Sequence, residues 1–280
     1  MKLNLQMYSF MDGEHNDSKE NLKLASQMGF QGVELFGPDF MIPAEEMKQL
    51  LEEYGLQAVS LHAPMTAMVE QLIPYAQTVG MSYIGIGMET LKNESDVHAF
   101  AKELNRIGGI CRENGLRLTY HNHTQEFAKY KDQTIMEILM AETEPDLVSF
   151  ELDAGWAAAA GVDPVQFVKD HTQRVRLLHI KESSKVIGPQ PPMDFSGFEK
   201  DADGRPVLPE EIKKTLDENR MINCPAGDGL VDWKIMTQTA AENGCDYFIV
   251  EREYAPSGKR IEWLTNDINF YHELLKGSAE

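Results

Sequence analysis

The stretch VSFELDAGW, Val148–Trp156, shows the pattern that decides the fold. It begins with apolar and β-branched residues and ends in acidic and aromatic ones, which is typical of a buried parallel strand that opens into a site. Similar runs recur along the chain and predict eight strands: Leu3–Phe10, Gly32–Gly37, Ala58–Pro64, Tyr83–Met88, Leu116–His123, Val148–Trp156, Val175–Glu182 and Tyr247–Tyr254. Eight such strands favour a closed (β/α)8 TIM barrel of the α/β class, and an open doubly wound sheet is the alternative.

Helical periodicity fills segments between the predicted strands. The clearest predicted helices are Ser18–Met28, Ala44–Tyr54, Glu94–Asn114 and Pro164–His171. A capping residue precedes several helices, as Asp17 does, and a glycine follows several, as Gly55 does. Because the strand–helix alternation runs from end to end, we expect a single domain, 1–280.

The segment 183–229 interrupts this alternation. It is long and polar, and it contains several prolines, a charged stretch at 200–205 and a helical pattern at Pro209–Asn219. Loops of this length in a compact barrel usually have a function. We therefore expect a loop insertion that serves either as a lid over the site or as a decoration of the rim.

The chain is acidic, with 26 basic and 45 acidic residues and a formal net charge of −19. Nucleic acids and anionic membrane surfaces attract basic faces, so this charge argues against both as partners. No apolar run is long enough for a signal peptide or a membrane span. The three cysteines form no C-x-x-C pair, which fits a reducing compartment, and we expect a cytoplasmic protein.

Polar residues gather at the ends of the predicted strands, where a barrel of this kind carries its site. In chain order they are Glu34, His62, His121, His123, Glu126, Glu151, Asp153, Trp156, His179, Lys181 and Glu251. A buried carboxylate or imidazole is costly unless it is paired or binds a metal. One such residue alone is usually structural, but Asp153, His179 and Glu251 end three successive strands. This arrangement predicts one divalent metal ion, and several independent ion pairs are the alternative.

The ligand types restrict the metal without identifying it. Carboxylate and imidazole together suit Mn²⁺, Mg²⁺, Zn²⁺, Co²⁺ or Fe²⁺. No cysteine stands at a predicted strand end, which argues against a structural zinc site. We therefore expect a metal that takes part in chemistry or in substrate binding.

Five motifs carry a resemblance to a known family: YHNHTQEF at 120–127, FELDAGW at 150–156, LLHIKE at 177–182, GDGLVDW at 227–233 and FIVERE at 248–253. With them the whole chain resembles the sugar phosphate isomerase/epimerase superfamily, the xylose isomerase-like TIM barrels. Within it, the chain is similar to a subgroup with the HNH motif in strand five, which is related to enzymes acting on 3-keto sugars and to inosose dehydratase. The resemblance implies one metal bound by residues of strands five to eight, among them Asp153, His179 and Glu251.

The resemblance leaves the fourth ligand open between Glu126 and His121. Ketose 3-epimerases carry Glu where this chain has His121, whereas Glu126 follows the HNH run of the subgroup. We expect Glu126 to bind the metal and His121 and His123 to face the substrate. The related apurinic endonucleases use His where this chain has Trp156, so Trp156 implies a single ion and argues against DNA repair. Trp156 then stacks on a sugar or is a packing residue.

The resemblance also implies a reaction. We expect a metal-dependent sugar isomerase or epimerase that abstracts the proton next to a carbonyl and forms an enediolate. Glu251 is the expected base, and Glu126 or His121 serves the opposite face of the substrate. One alternative is a metal-dependent lyase or dehydratase acting on a 3-keto-glycoside or an inosose, and another is a non-catalytic sugar-binding barrel.

The remaining strand-end residues are expected to bind substrate. Lys181 either donates to a substrate oxygen or forms an ion pair with Glu151 or Glu253. Glu34 and His62 are expected to bind sugar hydroxyls. Members of this superfamily often assemble as dimers or tetramers, so a homo-oligomer is a further expectation.

Overall fold

A computed structural model describes residues 2–192, 198–199 and 207–276. Eight parallel strands close into a barrel: β1 Leu3–Gln6, β2 Gly32–Phe36, β3 Gln57–Ala63, β4 Tyr83–Ile86, β5 Arg117–His121, β6 Val148–Asp153, β7 Val175–Ile180 and β8 Tyr247–Val250. Each strand pairs with its neighbours in chain order, and β8 pairs with β1 to complete the ring. The predicted (β/α)8 barrel is therefore confirmed, and the open sheet is excluded.

Helices connect the strands and surround the barrel. They are α1 Ser18–Gln27, α2 Ala44–Tyr54, α3 Val69–Val79, α4 Glu94–Glu113, α5 Ile135–Glu142, α6 Ala154–Ala159, α7 Pro164–Asp170, α8 Glu210–Arg220, α9 Trp233–Glu242 and α10 Arg260–Lys276. Asp17 caps α1 by accepting a hydrogen bond from the backbone N–H of Lys19. Gly55 ends α2 with a φ of 67°, in the left-handed region that favours glycine. Among the described residues, no helix combines the length and apolarity that crossing a membrane requires.

The inside of the barrel changes from apolar to polar along the strands. Leu177 and Ile249 stand two residues before His179 and Glu251, and therefore on the same strand faces. They belong to a small buried apolar cluster that also contains Val59. The apolar layer thus lies below a polar layer at the C-terminal end of the barrel.

Several strands end earlier than the sequence predicts. The predicted strand Leu3–Phe10 stops at Gln6 and continues as a 3₁₀ turn. The predicted strand Val148–Trp156 stops at Asp153, because the Oδ1 atom of Asp153 accepts a hydrogen bond from the backbone N–H of Trp156 at 2.7 Å and starts α6. These predicted ends are wrong: the residues after the last ladder pair form caps and turns, which the alternation of apolar residues does not mark.

The segment 183–229 approaches the site with one helix. The helical pattern predicted at Pro209–Asn219 is confirmed as α8, and Leu216, Asn219 and Arg220 of α8 line a cavity at the barrel mouth. The charged stretch predicted at 200–205 lies outside the described residues. Part of the segment therefore contributes to the cavity wall.

The GDGLVDW motif packs around one buried carboxylate. The Oε1 atom of Glu182 accepts hydrogen bonds from the backbone N–H of Gly227 at 2.7 Å, from Trp233 Nε1 at 2.7 Å and from the Tyr271 hydroxyl at 2.8 Å. A Cβ on Gly229 would lie 2.1 Å from the other oxygen of Glu182. This motif is therefore explained by packing rather than by chemistry.

Four exposed methionines follow the first four strands. Met11, Met41, Met65 and Met88 are 47%, 85%, 58% and 41% exposed, and each lies in the loop that leaves the C-terminal end of its strand. The barrel mouth is therefore apolar at this part of its rim and polar at its floor.

Candidate metal centre

Four side chains converge at the C-terminal end of the barrel. His121 ends β5, Asp153 ends β6, His179 lies near the end of β7 and Glu251 follows β8. Each offers one ligand atom, and these four atoms lie within 4.8 Å of one another. All four side chains are buried. The structure thus brings the predicted ligands Asp153, His179 and Glu251 together with His121.

The geometry of this cluster fits a cation. The Nε2 atom of His121 lies 3.2 Å from His179 Nδ1 and 3.7 Å from Asp153 Oδ2, and His179 Nδ1 lies 3.6 Å from Glu251 Oε2. Asp153 Oδ2 and Glu251 Oε2 have no hydrogen-bond partner among the described residues. Leaving buried carboxylate oxygens unpaired is costly. Two carboxylates and two imidazoles are also ligands that divalent metals accept, so the donor set fits such an ion.

Burial and neighbouring charges shift the pKa values of the cluster. Burial raises the pKa of Asp153 to about 7, against the opposing effect of the Lys181 charge. Burial alone would also raise the pKa of Glu251, but His179 and Lys181 hold it below its ordinary value. Burial and the neighbouring His179 lower the pKa of His121 well below its ordinary value. His121 is therefore a neutral imidazole at pH 7, which is the form that binds metals.

A second buried cluster lies directly behind His179. Its Nε2 atom is 2.8 Å from Glu34 Oε1 and 3.1 Å from Glu151 Oε1. The Nε2 atom of His62 is 2.6 Å from Glu151 Oε2 and 3.1 Å from Glu34 Oε1. Gln6 donates a further hydrogen bond to Glu34 at 2.6 Å. Glu34 accepts the Nε2–H of His179, which leaves the Nδ1 atom of His179 facing the first cluster.

The second cluster changes what can be expected of Glu34 and His62. Glu34 is fully buried and is not among the residues that line the cavity, so it lies below the floor rather than on the wall. His62 does line the cavity, where a sugar hydroxyl could reach it. These two residues also offer ligand atoms within 4.8 Å of those of Glu151 and His179. Hydrogen bonds link Glu34 to His179 and His62 to Glu151, and Glu151 Oε1 has no hydrogen-bond partner within the described residues.

Glu126 lies outside the cluster of four candidate ligands. Its carboxylate accepts hydrogen bonds from the Tyr120 hydroxyl at 2.8 Å, from Gln125 Nε2 at 2.8 Å and from the backbone N–H of His123 at 2.7 Å. Tyr120 and His121 are adjacent in β5 and therefore point to opposite faces of the strand. Glu126 lies with Tyr120 on the outer face, so the structure puts His121 in the place for which Glu126 was expected.

A cavity of about 410 Å³ opens above the cluster. Its lining includes His123, Trp156 and Glu251 from the strand ends and Arg220 from α8. The ammonium group of Lys181 lies 4.1 Å from the centre of the Trp156 ring. The cavity therefore has a polar floor and an aromatic wall, which suits a small polyol.

Lys181 and His123 flank the cluster without belonging to it. Lys181 is 1% exposed and forms an ion pair with Glu253, one of the two partners expected from the sequence. Burial, with His121 and Lys181 nearby, lowers the pKa of His123 well below its ordinary value. Its Nδ1 atom has no hydrogen-bond partner among the described residues. His123 is therefore a neutral base beside the cavity.

From the sequence, Glu151 was expected only as a possible ion-pair partner of Lys181, and Gln6 was not identified at all. Glu151 stands two residues before Asp153 on the same face of β6, so the period of two was the available signal. Nothing in the local sequence marks Gln6, which reaches Glu34 only because β1 and β2 are neighbours in the barrel.

Comparisons with known proteins agree with this architecture. A curated relative, inosose dehydratase of Lacticaseibacillus casei, is 29% identical over 160 residues, which cover 56% of this chain and 47% of that enzyme. The chain spans about half the length of the first curated relatives it matches. The curated relatives named inosose dehydratase are enzymes.

Solved structures share the fold at low sequence identity. A sugar phosphate isomerase/epimerase from Parabacteroides distasonis has a TM-score of 0.70 and 21% identity, covering 96% of this chain and 92% of that one. The IolI protein with a bound zinc atom has a TM-score of 0.68 and 13% identity, covering 99% of both chains. The family profile described as xylose isomerase-like TIM barrel matches residues 22–274. The chain therefore belongs to the xylose isomerase-like TIM barrel family.

Proposed function

We propose that this protein is a divalent-metal-dependent lyase that removes water from a keto sugar or a keto-cyclitol. The observation that carries the proposal is the pair of unpartnered oxygens, Asp153 Oδ2 and Glu251 Oε2, which converge with two imidazoles below a polyol-sized cavity. The inosose dehydratases among its relatives favour elimination over isomerisation.

The proposed ligands are His121, Asp153, His179 and Glu251. A bound divalent ion would act as a Lewis acid that polarises the substrate carbonyl and makes the neighbouring proton more acidic. Mn²⁺, Mg²⁺, Zn²⁺ and Co²⁺ all accept this donor set. The zinc bound by the IolI protein makes Zn²⁺ the first ion to test.

The proton transfers are assigned to residues outside the ligand set. His123 takes the proton from the carbon next to the carbonyl, because it lines the cavity and is not among the four candidate ligands. The carbon–oxygen bond to the neighbouring hydroxyl then breaks, and His123 returns its proton to that group, which leaves as water. Glu251, expected from the sequence to be the base, is retained as a ligand because its Oε2 faces His179.

Lys181 and Trp156 orient the substrate. The ammonium group of Lys181 is held between Glu253 and the Trp156 ring. From there it can donate to the substrate oxygen on which negative charge develops. The indole of Trp156 offers a flat face for a sugar ring. Glu126 has no direct role in this scheme and holds the loop after β5 in place.

The same site chemistry allows one further outcome. If the proton returns to carbon instead of to the leaving hydroxyl, the same residues give an isomerase or epimerase, which is the second candidate. The shared fold with the Parabacteroides distasonis sugar phosphate isomerase/epimerase is the observation that favours it. Cytoplasmic location, homo-oligomer formation and a single-domain organisation remain predictions from the sequence.

The test incubates zinc-loaded protein with keto sugars and inososes in D₂O and follows each reaction by NMR. We expect exchange of the proton next to the carbonyl, together with the alkene signals of a dehydrated product. Exchange without a dehydrated product would support the isomerase instead. No exchange with any substrate, in a folded and fully metallated sample, would refute both.

Matched variants separate the ligand set from the base. Asp153→Asn is expected to lose bound metal and exchange together. His123→Asn is expected to keep stoichiometric metal and lose exchange, because His123 lies outside the ligand set. Stoichiometric metal in Asp153→Asn would contradict the assignment of that ligand.

A further inference from the structure

A second cavity opens at the other end of the barrel. It has a volume of about 760 Å³ and is lined at the starts of three strands, by Tyr83 of β4, Arg117 of β5 and Tyr247 of β8. The candidate metal centre lies at the C-terminal ends of the same barrel, so the two cavities are on opposite faces. Small-molecule sites commonly have volumes of about 300–1,000 Å³, and this cavity falls in that range.

The lining of this cavity is positive although the chain is strongly acidic. Three guanidinium groups, of Arg112, Arg117 and Arg176, face two carboxylates, of Asp146 and Asp246. The formal charge of the lining is therefore +1, in a chain whose net charge is −19. A local excess of arginine on an acidic protein attracts anions to that place.

One of the two carboxylates is already neutralised. Asp246 Oδ2 accepts hydrogen bonds from Arg176 Nη2 at 2.6 Å, from Arg176 Nε at 3.1 Å and from the Tyr83 hydroxyl. Burial, with Asp246 nearby, raises the pKa of Tyr83 to about 12, so its hydroxyl keeps its proton. Arg176 and Asp246 thus form the back wall, and the free positive charge belongs to the other two arginines.

The guanidinium groups of Arg112 and Arg117 have no partner in the described part of the chain: neither makes a hydrogen bond or an ion pair there. The other described arginines all donate hydrogen bonds through their guanidinium groups: Arg106, Arg174, Arg176, Arg220, Arg252 and Arg260. The two unpaired groups both line this one cavity. Arginine binds carboxylate and phosphate oxygens through two parallel N–H groups, so this pair is suited to an oxyanion.

We infer that this cavity binds a small molecule carrying a carboxylate or phosphate group, which Arg112 and Arg117 hold. The apolar part of the ligand lies against Leu116 and Tyr247, which line the same cavity. The ligand touches none of the residues of the candidate metal centre. It is therefore a second ligand and not the substrate.

The test titrates metal-loaded protein with inorganic phosphate, citrate and phenyl phosphate by calorimetry at low ionic strength. We expect saturable binding of at least one probe, and the preferred probe distinguishes a phosphate from a carboxylate ligand. Replacing both Arg112 and Arg117 with glutamine should weaken that binding about tenfold or more. Should this double variant fail to fold, Arg112→Gln alone, on the exposed surface of α4, carries the test.

Two controls make the result specific. Arg106→Gln removes a guanidinium that pairs with Glu70 and Glu103 outside the cavity, and should leave the affinity unchanged. Asp153→Asn, at the opposite end of the barrel, should also retain binding. Absence of saturable binding for all three probes would overturn the inference. An equal loss in Arg106→Gln, or loss of binding in Asp153→Asn, would overturn it as well.

Discussion

Replacing Glu34 with glutamine removes a charge behind the candidate metal ligand His179 and keeps the size of the side chain. Glu34 Oε1 lies 2.8 Å from His179 Nε2, and Glu151 Oε1 lies 3.1 Å from the same atom. Such carboxylates typically contribute about 10- to 100-fold to metal affinity. Because Glu151 remains, we expect Glu34→Gln to weaken zinc binding about tenfold, or about 1.4 kcal/mol. The double variant with Glu151→Gln should lose about 100-fold.

The assay is competition for zinc with a fluorescent chelator at constant pH, with thermal melting as the check on folding. Glu126→Gln is the matched control, because Glu126 is equally buried and hydrogen-bonded but lies outside the ligand cluster. It should keep the affinity of the unmodified protein. A folded double variant with unchanged zinc affinity would refute the role given to the second cluster, and loss of zinc from Glu126→Gln would return Glu126 to the ligand set.

The other predictions concern stability. Gly155→Ala would place a Cβ 2.1 Å from the Lys181 carbonyl oxygen and should lower the free energy of unfolding by about 3 kcal/mol, whereas Gly109→Ala in α4 meets open space and should be neutral or stabilising in urea titrations. Burial raises the pKa of Asp39 from 3.8 to about 6, so the folded state holds a proton that the unfolded state releases, and stability falls as pH rises from about 4 to about 6. Asp39→Asn should therefore raise the free energy of unfolding by up to about 3 kcal/mol at about pH 7, with little change at about pH 4. Equal urea midpoints for both glycine variants, or a pH-independent effect of Asp39→Asn, would contradict these arguments.

The barrel could be predicted from the sequence because the pattern of an apolar strand with a polar end is repeated eight times along the chain. Errors in single strand ends, such as the extension of the sixth strand to Trp156, do not alter that count. Asp153, His179 and Glu251 could be placed together because they end successive strands, and neighbouring parallel strands bring their ends side by side.

The fourth ligand was harder to predict from the sequence, because Glu126 lies in a loop. Its place depends on a 3₁₀ turn, Gln125–Phe127, that brings its carboxylate back to Tyr120 on the outer face of β5. Hydrogen bonds from Tyr120, Gln125 and the backbone N–H of His123 hold the carboxylate there, and the alternation of apolar residues does not mark them. The contacts of the second cluster join residues far apart in the chain: Gln6 contacts Glu34 between the neighbouring strands β1 and β2, and Glu151 contacts His179 between β6 and β7.

The exposed methionines of the rim determine how this protein responds to oxidants. Burial raises the pKa of Cys111 to about 12 and that of Cys224 to about 11, so these thiols are scarcely ionised at neutral pH and react slowly. Oxygen transfer from peroxide therefore falls first on thioethers such as Met41 and Met65. Their sulfoxides are polar, and the entrance of the barrel would lose its apolar edge while the buried cluster below stays chemically unchanged.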